Sequence, residues 1–437
     1  MAPPRDLSSV LPLAAEVRRR PPFGSNPVVG ERGSDTQRRI FAAAIEVFGE
    51  LGFSGARVEL ITARAGCSRP AFYQYFSSKD DVFWALAGQL GQEIVHLATA
   101  LPRITPDAAG LAHLTEWTGE FMDLHEAWAP VFASFQAASR GHAPQAQRSG
   151  AVSDQTGLAL LRAFGVPADP RQSTLVTGLV AVLIRCSFFA EQTPSGMSRQ
   201  PLVAGVATLL HRIFAGPIAG VNLLPTPPRR PGRTTSAPAP SPATPPVERP
   251  LARRGTRTRQ RLLDAGAQVL PARGYHDARV DDVVAAAGVS HGTFYRYFTN
   301  KDDFFQALAE TTSGHMIDHL DRLHLDPTGN IEDLRGWLVE WFVIYERDGG
   351  IISTWQEMQT NERLAVFSRE VATSVYTRLV RLLSQRPFGD PAVDAVMLLA
   401  LIERVPYSVY TLHFTTPAPA IEAMITAIGR GLLVQPE

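Results

Sequence analysis

The sequence predicts an all-α protein in which one architecture is written twice. Three observations carry this. The stretch Thr36–Ala87 aligns without gaps on Thr258–Ala309 at a shift of about 222 residues, with roughly 23 of about 52 positions identical, too many for coincidence. Apolar residues inside each copy recur at helical spacing rather than in alternation. Glycine- or serine-containing breaks punctuate both copies at matching places.

Composition bounds what such a chain can be. Its 437 residues exceed one ordinary core, and 45% hydrophobic content excludes wholesale disorder. Basic and acidic side chains balance at 42 each, so net charge by itself points to no partner. Two cysteines, Cys67 and Cys186, make neither a disulfide framework nor a four-thiolate zinc site. The longest apolar run, Leu175–Ala190, is broken by Thr177, Arg185 and Cys186, and no apolar signal core follows Met1. A reducing, cytoplasmic compartment and no membrane contact are expected. The only lysines, Lys79 and Lys301, coincide in the repeat.

The elements follow in order. Residues 1–31 are a Pro- and Arg-rich arm, expected to be disordered. The first head, 32–88, opens with a helix whose stripe is Ile40, Ala43, Ala44, Val47 and Phe48, ending at Gly52. A short helix, Val58–Ala65, stops at Gly66, and Ser68 caps another, Arg69–Phe76. Ser77-Ser78 starts a longer helix with Asp80 and Asp81 in its first turn, where acids suit the dipole. A helical half, 89–224, follows.

Residues 225–252 are a linker, with about ten prolines in Pro225–Pro250. The second head, 253–310, repeats the grammar: Leu262–Leu270, Gly274, Val280–Ala287, Gly288, Ser290, His291–Phe298 and Lys301. Pro271 is expected to shorten or kink its first helix. A second helical half, 311–437, completes the chain. Two short helices around a glycine turn form a helix-turn-helix, whose second helix enters a major groove.

The string AGxSxxxFYxYFxxKDD, at Ala65–Asp81 and again at Ala287–Asp303, resembles the tetracycline-repressor-like (TetR/AcrR) family of bacterial transcription regulators. The resemblance is close over about 50 residues of each copy and looser beyond. It implies a three-helix DNA-binding domain followed by a helical ligand-binding and dimerisation domain. It also implies a sequence-specific regulator, here expected to be a repressor that leaves a double-stranded DNA operator when a small apolar ligand binds. No cofactor, metal or enzymatic activity is expected, since no nucleophile elbow, phosphate-cradling loop or dinucleotide fingerprint occurs. The His315, Asp318, His319 cluster reads as a polar face rather than a zinc site. The rival reading is a ligand-sensing or scaffolding protein in which one helix-turn-helix, or neither, binds DNA.

Chemistry assigns the DNA-facing residues. Phe72, Phe76, Phe294 and Phe298 fill the small cores, while Tyr73, Tyr75, Tyr295 and Tyr297 offer hydroxyls to phosphates. Lys79 and Lys301 stand at helix N-termini, where amides also favour phosphate. The family commonly has a hydroxyl residue where Ala56 and Ala278 stand, so that contact is expected from Arg57 and Arg279. Bases are read from the first recognition turns, Ser68-Arg69-Pro70-Ala71 and Ser290-His291-Gly292-Thr293. Arg69 suits guanine O6/N7 and Thr293 a thymine methyl, so the two half-sites are expected to differ. Arginine clusters flank both heads, Arg18–Arg20, Arg32, Arg38 and Arg39 at the first and Arg249, Arg253, Arg254, Arg257, Arg259 and Arg261 at the second, and are expected to lie on phosphates or in a minor groove.

In the helical halves, Leu114, Trp117, Phe121 and Leu124 form one stripe, and Leu334, Trp337, Trp341 and Tyr345 another. Most are core. Trp117, Phe121, His125, Phe135, Trp337, Trp341, Tyr345 and Trp355 are the candidates to line an effector cavity. The last two helices of each copy are apolar around much of their circumference. They are expected to meet either within one chain, as an intramolecular pseudo-dimer, or between two chains, as a homodimer.

Overall fold

A computed structural model describes residues 31–139, 143–192, 197–218, 253–325, 331–358, 362–386 and 388–433. The arm and the linker lie outside the described residues, as does the side chain of Trp355. Among the described residues there is no strand.

Among the described residues, the first repeat holds nine helices. α1 (Glu31–Gly55), α2 (Val58–Ala65) and α3 (Arg69–Tyr75) form the head, and α4 (Lys79–Ala100) leads out of it. α5 (Ala108–Ala127), α6 (Ala129–Ser139), α7 (Ala143–Phe164), α8 (Pro170–Gln192) and α9 (Arg199–Phe214) follow. The second repeat begins with α10 (Arg253–Asp277), α11 (Val280–Ala287), α12 (His291–Phe294) and α13 (Lys301–Leu320). It continues with α14 (Ile331–Met358), α15 (Glu362–Leu383), α16 (Pro391–Tyr410), α17 (Pro417–Thr426) and a π-helical stretch, Ala427–Leu433.

The chain divides into two compact units. Their membership does not follow the repeat boundary. Leu412–Thr426, which contains α17, belongs to the unit of α1–α9, while Ala427 onward belongs to the unit of α10–α16. Inside the first unit α17 packs on α8, and Thr415 Oγ1 lies 3.4 Å from Thr174 Oγ1. α5 packs along α9, where Arg199 donates to the Gly119 carbonyl (2.6 Å) and pairs with Asp123 (2.5 Å).

Inside the second unit α14 packs on α10 and α16, and α15 lies along α16. The buried Arg386 donates to Asp394 and to the Leu432 carbonyl, tying the π-helical stretch to α16. One expectation changes here. Pro271 does not shorten α10: the helix leaves helical geometry at Gly274 (φ 76°), as α1 does at Gly52 (φ 66°). The proline sits only three residues before a break that the glycine already sets.

Each head packs around phenylalanine. Phe72 and Phe83 are fully buried with Ile40, Ile61 and Val82; Phe294 and Phe305, with Leu262, Val283 and Phe304, are their counterparts. Fully burying such a side chain contributes about 1.5–3 kcal/mol. α6 backs α1 in the first unit, with the Pro130 ring against Gly49. The far half of α14 backs α10, where Ile351 joins the head core. Helical half and head therefore share packed surface in each unit.

Candidate nucleic-acid interface

The two recognition helices begin alike. Ser68 caps α3 by accepting from the Ala71 amide (3.2 Å), and Ser290 caps α12 by accepting from the Thr293 amide (3.3 Å). Gly66 (φ 61°) and Gly288 (φ 62°) close the preceding helices in the left-handed region, where a side chain is strained. Phe72 and Phe294 anchor the helices inward. Tyr73 (50% exposed) and Tyr295 (57%) stand outward, edge-on to those phenylalanines. Tyr75 and Tyr297 lie half-buried against the core. Arg57, Ser68, Arg69 and Pro70 are exposed in the first head, as are Arg279, Ser290, His291 and Gly292 in the second; Ala71 and Thr293 are half-buried.

The second recognition helix is shorter than the sequence predicts. Regular α-helix covers only His291–Phe294; turns carry the chain on, with the Tyr297 amide donating to the Phe294 carbonyl (2.9 Å). Gly292 and the β-branched Thr293 are poor helix formers, whereas α3 has Pro70 in its first turn, followed by Ala71. Thr293 Oγ1 lies 3.0 Å from Ser290 Oγ, so its hydroxyl is engaged locally.

Lys79 Nζ donates to the carbonyls of Phe53 (2.7 Å) and Ala56 (3.0 Å) and lies over the Phe53 ring. Lys301 Nζ donates to the Tyr275 carbonyl (3.0 Å) and lies over the Tyr275 ring. The two lysines thus close the end of the first helix onto the start of the fourth. Among the flanking arginines, Arg39 in α1 donates to the Ala65 carbonyl (3.1 Å) and Arg261 in α10 to the Ala287 carbonyl (2.6 Å). These two staple the long helix to the end of the second helix. The shared 222-residue shift relates both pairs, and composition alone does not separate such staples from free basic groups.

Ion pairs dress the heads differently. Arg64 grips Glu50 with both nitrogens (2.6 and 2.9 Å), holding that exposed carboxyl below its usual range. Ala286 and Ala272 stand at the matching places of the second head, which instead bonds Tyr275 Oη to Asp302 (2.6 Å). At the recognition turn, Arg69 Nη2 meets Glu59 Oε1 at 2.7 Å, and His291 Nε2 meets Asp281 Oδ1 at 2.7 Å.

The effector candidates are core residues. Trp117 donates to the Leu97 carbonyl (3.1 Å) and Trp341 to the Ile402 carbonyl (2.8 Å). Trp337 and His319 bond each other's backbone carbonyls, each at 3.0 Å, with rings stacked at 4.7 Å. His125 is fully buried and stacked on Phe132 (4.5 Å); Phe121 and Tyr345 are buried, and Phe135 packs on Trp84. In the first unit the buried Trp84 Nε1, Thr118 Oγ1, Ser134 Oγ and Thr156 Oγ1 have no hydrogen-bond partner. Among the described residues of the second unit, Gln306 Oε1 is in that condition.

Burial pushes the Cys186 thiol up to about 12 and raises Cys67, so neither is a reactive thiolate. Among the described residues no group of histidine, cysteine and acidic side chains is arranged to hold a metal, and no helix is long and apolar enough to cross a membrane.

Two glycine-turn helix pairs with an exposed second helix define a helix-turn-helix protein with two heads. Residues 40–86 and 262–308 each match the family model "Bacterial regulatory proteins, tetR family", so the chain carries two tetR-family helix-turn-helix domains in tandem. It is 36% identical over 100 residues to the uncharacterized HTH-type transcriptional regulator YvdT of Bacillus subtilis, covering 21% of this chain and 48% of that protein. It is 32% identical over 92 residues to the HTH-type transcriptional repressor SCO4008 of Streptomyces coelicolor, covering 21% and 43%. The match thus spans about half the length of these relatives. A crystal structure of a tetR-family transcriptional regulator from Streptomyces coelicolor aligns with 42% of this chain and 82% of its own, at TM-score 0.36 and 16% identity.

Proposed function

We propose that the chain is a cytoplasmic, sequence-specific transcriptional regulator that acts by binding DNA rather than by catalysis. The carrying observation is the recurrence, in two heads, of a recognition helix anchored by phenylalanine and presenting Tyr73 or Tyr295 outward. Arg57, Tyr73, Tyr75, Arg279, Tyr295 and Tyr297 contact phosphates, aided by the helix starts at Lys79 and Lys301. Ser68-Arg69-Pro70-Ala71 and Ser290-His291-Gly292-Thr293 face the bases, and the engaged Thr293 hydroxyl leaves its methyl for a thymine.

Both heads act in one chain as a pseudo-dimer. Support comes from Leu412–Thr426, which belongs to the second repeat in sequence and to the first unit in space. The chain is a repressor released by a small apolar ligand held in the helical half. In the first unit Trp117, Phe121 and His125 supply apolar walls, and the unpartnered Thr118, Ser134 and Thr156 supply polar contacts that a ligand would satisfy. Such a ligand shifts the equilibrium only by its differential affinity for the two states.

The test is operator selection from random duplexes, followed by the mass of the complex at several salt concentrations. One chain on a duplex with two unlike half-sites, with a steep salt dependence, is expected. Two chains on a symmetric site would overturn the pseudo-dimer. No enriched sequence would favour the scaffold reading.

A further inference from the structure

We infer that each head carries an acid that decides which base its first recognition-helix side chain reads: Glu59 for Arg69, and Asp281 for His291. The inference rests on the DNA-binding reading above and adds two specificity residues to it.

The pairs occupy matching places in the repeat, and both partners differ between the copies. Glutamate faces arginine in one head and aspartate faces histidine in the other, yet each pair closes at 2.7 Å. The acid sits in the first turn of α2 or α11, and the base opens α3 or α12. All four side chains are more than half exposed, and exposed ion pairs contribute little to stability. Buried Ile61 with Phe72, and Val283 with Phe294, already hold the helices together. The pairing therefore acts on where the base-reading donor points and on what it avoids.

An untethered arginine on a DNA-facing surface is drawn to the phosphate backbone, which carries no sequence information. A carboxylate beside it repels phosphate oxygens and penalises that alternative. With Nη2 held by Glu59, the remaining guanidinium N–H groups stay free to donate to guanine O6 and N7. In the second head Asp281 accepts the Nε2–H of His291, and in the neutral imidazole this leaves Nδ1 as an acceptor. An acceptor in the major groove reads an amino group, adenine N6 or cytosine N4. The heads thus read with opposite hydrogen-bond polarity, donor in the first and acceptor in the second.

The test uses the full chain with Glu59→Ala, Asp281→Ala, Arg69→Ala and the double variant E59A/R69A. Each is taken through selection from random duplexes and through binding to non-specific DNA. Wild type is expected to enrich guanine at one position of one half-site. E59A is expected to lose roughly tenfold of that preference, while binding non-specific DNA at least as tightly. R69A is expected to lose the same preference, and the double variant to add nothing to R69A. D281A is expected to alter the other half-site alone.

Undiminished guanine preference in E59A would overturn the inference. So would a uniform loss on every duplex, which is the signature of a scaffold role. A wild-type chain that enriches nothing would instead remove the DNA-reading proposal, and this inference with it.

Discussion

The first and second units solve one junction with opposite residues. In the first, the chain breaks between α5 and α6: Trp128 closes α5, and Pro130 lies in the first turn of α6. In the second, Gly349-Gly350 stands at the matching place, and α14 runs unbroken for 28 residues. A proline suits a helix start and lacks the N–H that a helix interior needs. Two glycines weaken a helix but keep its ladder.

The neighbouring tie is also rewritten. Trp128 Nε1 donates to Glu93 (3.0 Å) in the first unit, and His315 Nδ1 meets the buried Asp348 (3.1 Å) at the same two places in the second. Position is retained while chemistry changes. The helix that runs through the effector half and the helix that backs the head are separate pieces in one unit and a single rod in the other. Motion in α5 has a joint at Trp128 before it reaches α6 and α1; motion in α14 has none.

The strongest way to break this contrast is to exchange the junction residues. Gly350→Pro is expected to cost about 3 kcal/mol or more, because it removes a ladder bond inside α14 and clashes with the preceding turn. Pro130→Ala is expected to change stability by less than about 1 kcal/mol. Urea unfolding, with hydrogen exchange read separately in α14 and α6, checks both; equal losses would void the contrast.

A smaller effect is expected from Gly349→Ala. Its new Cβ would overlap the buried Tyr345 ring, and such overpacking costs about 1–3 kcal/mol despite alanine's better helix propensity. Thermal unfolding of the variant reads this, and a rise in melting temperature would contradict it.

Tyr275→Phe makes the second head resemble the first, where Phe53 stands, and removes the bond to Asp302. About 1 kcal/mol is expected. An unchanged denaturation midpoint would mean that the tie to Asp302 adds nothing.

The smallest effect concerns acid. Burial holds His319 below its ordinary range, so the unfolded chain binds this proton more readily than the folded one. Stability of the second unit is therefore expected to fall as pH drops below about 6.5, a slope that His319→Gln should flatten. Parallel melting curves at pH 5 and 7 for both proteins would refute it.

Much of this contrast was legible in the sequence. The duplication, the phenylalanine-cored heads and the outward Tyr73 and Tyr295 follow from spacing, because apolar periodicity and capping residues act locally. The joint at Trp128 and its loss at Gly349-Gly350 also have local causes. What spacing does not reveal is where long polar side chains turn. Lys79 and Arg39 read as basic surface, yet both reach backbone carbonyls more than twenty residues away. The Glu59–Arg69 and Asp281–His291 pairs join different helices, so no single-helix period exposes them. The membership of α17 is a long-range matter that no local pattern encodes.

That membership has a consequence for synthesis. The chain is made from its N-terminus, yet the first unit needs Leu412–Thr426 to cover α8. After Gly216 emerges, close to 200 further residues must be added, on the order of 10–40 s at ordinary ribosomal speeds. Throughout that interval the apolar face of α8 waits without its partner helix, the kind of surface that invites premature association. The first unit is therefore finished only after most of the second repeat has been made. A stop codon just before Leu412 would leave the first unit incomplete although every residue of α1–α9 had been made.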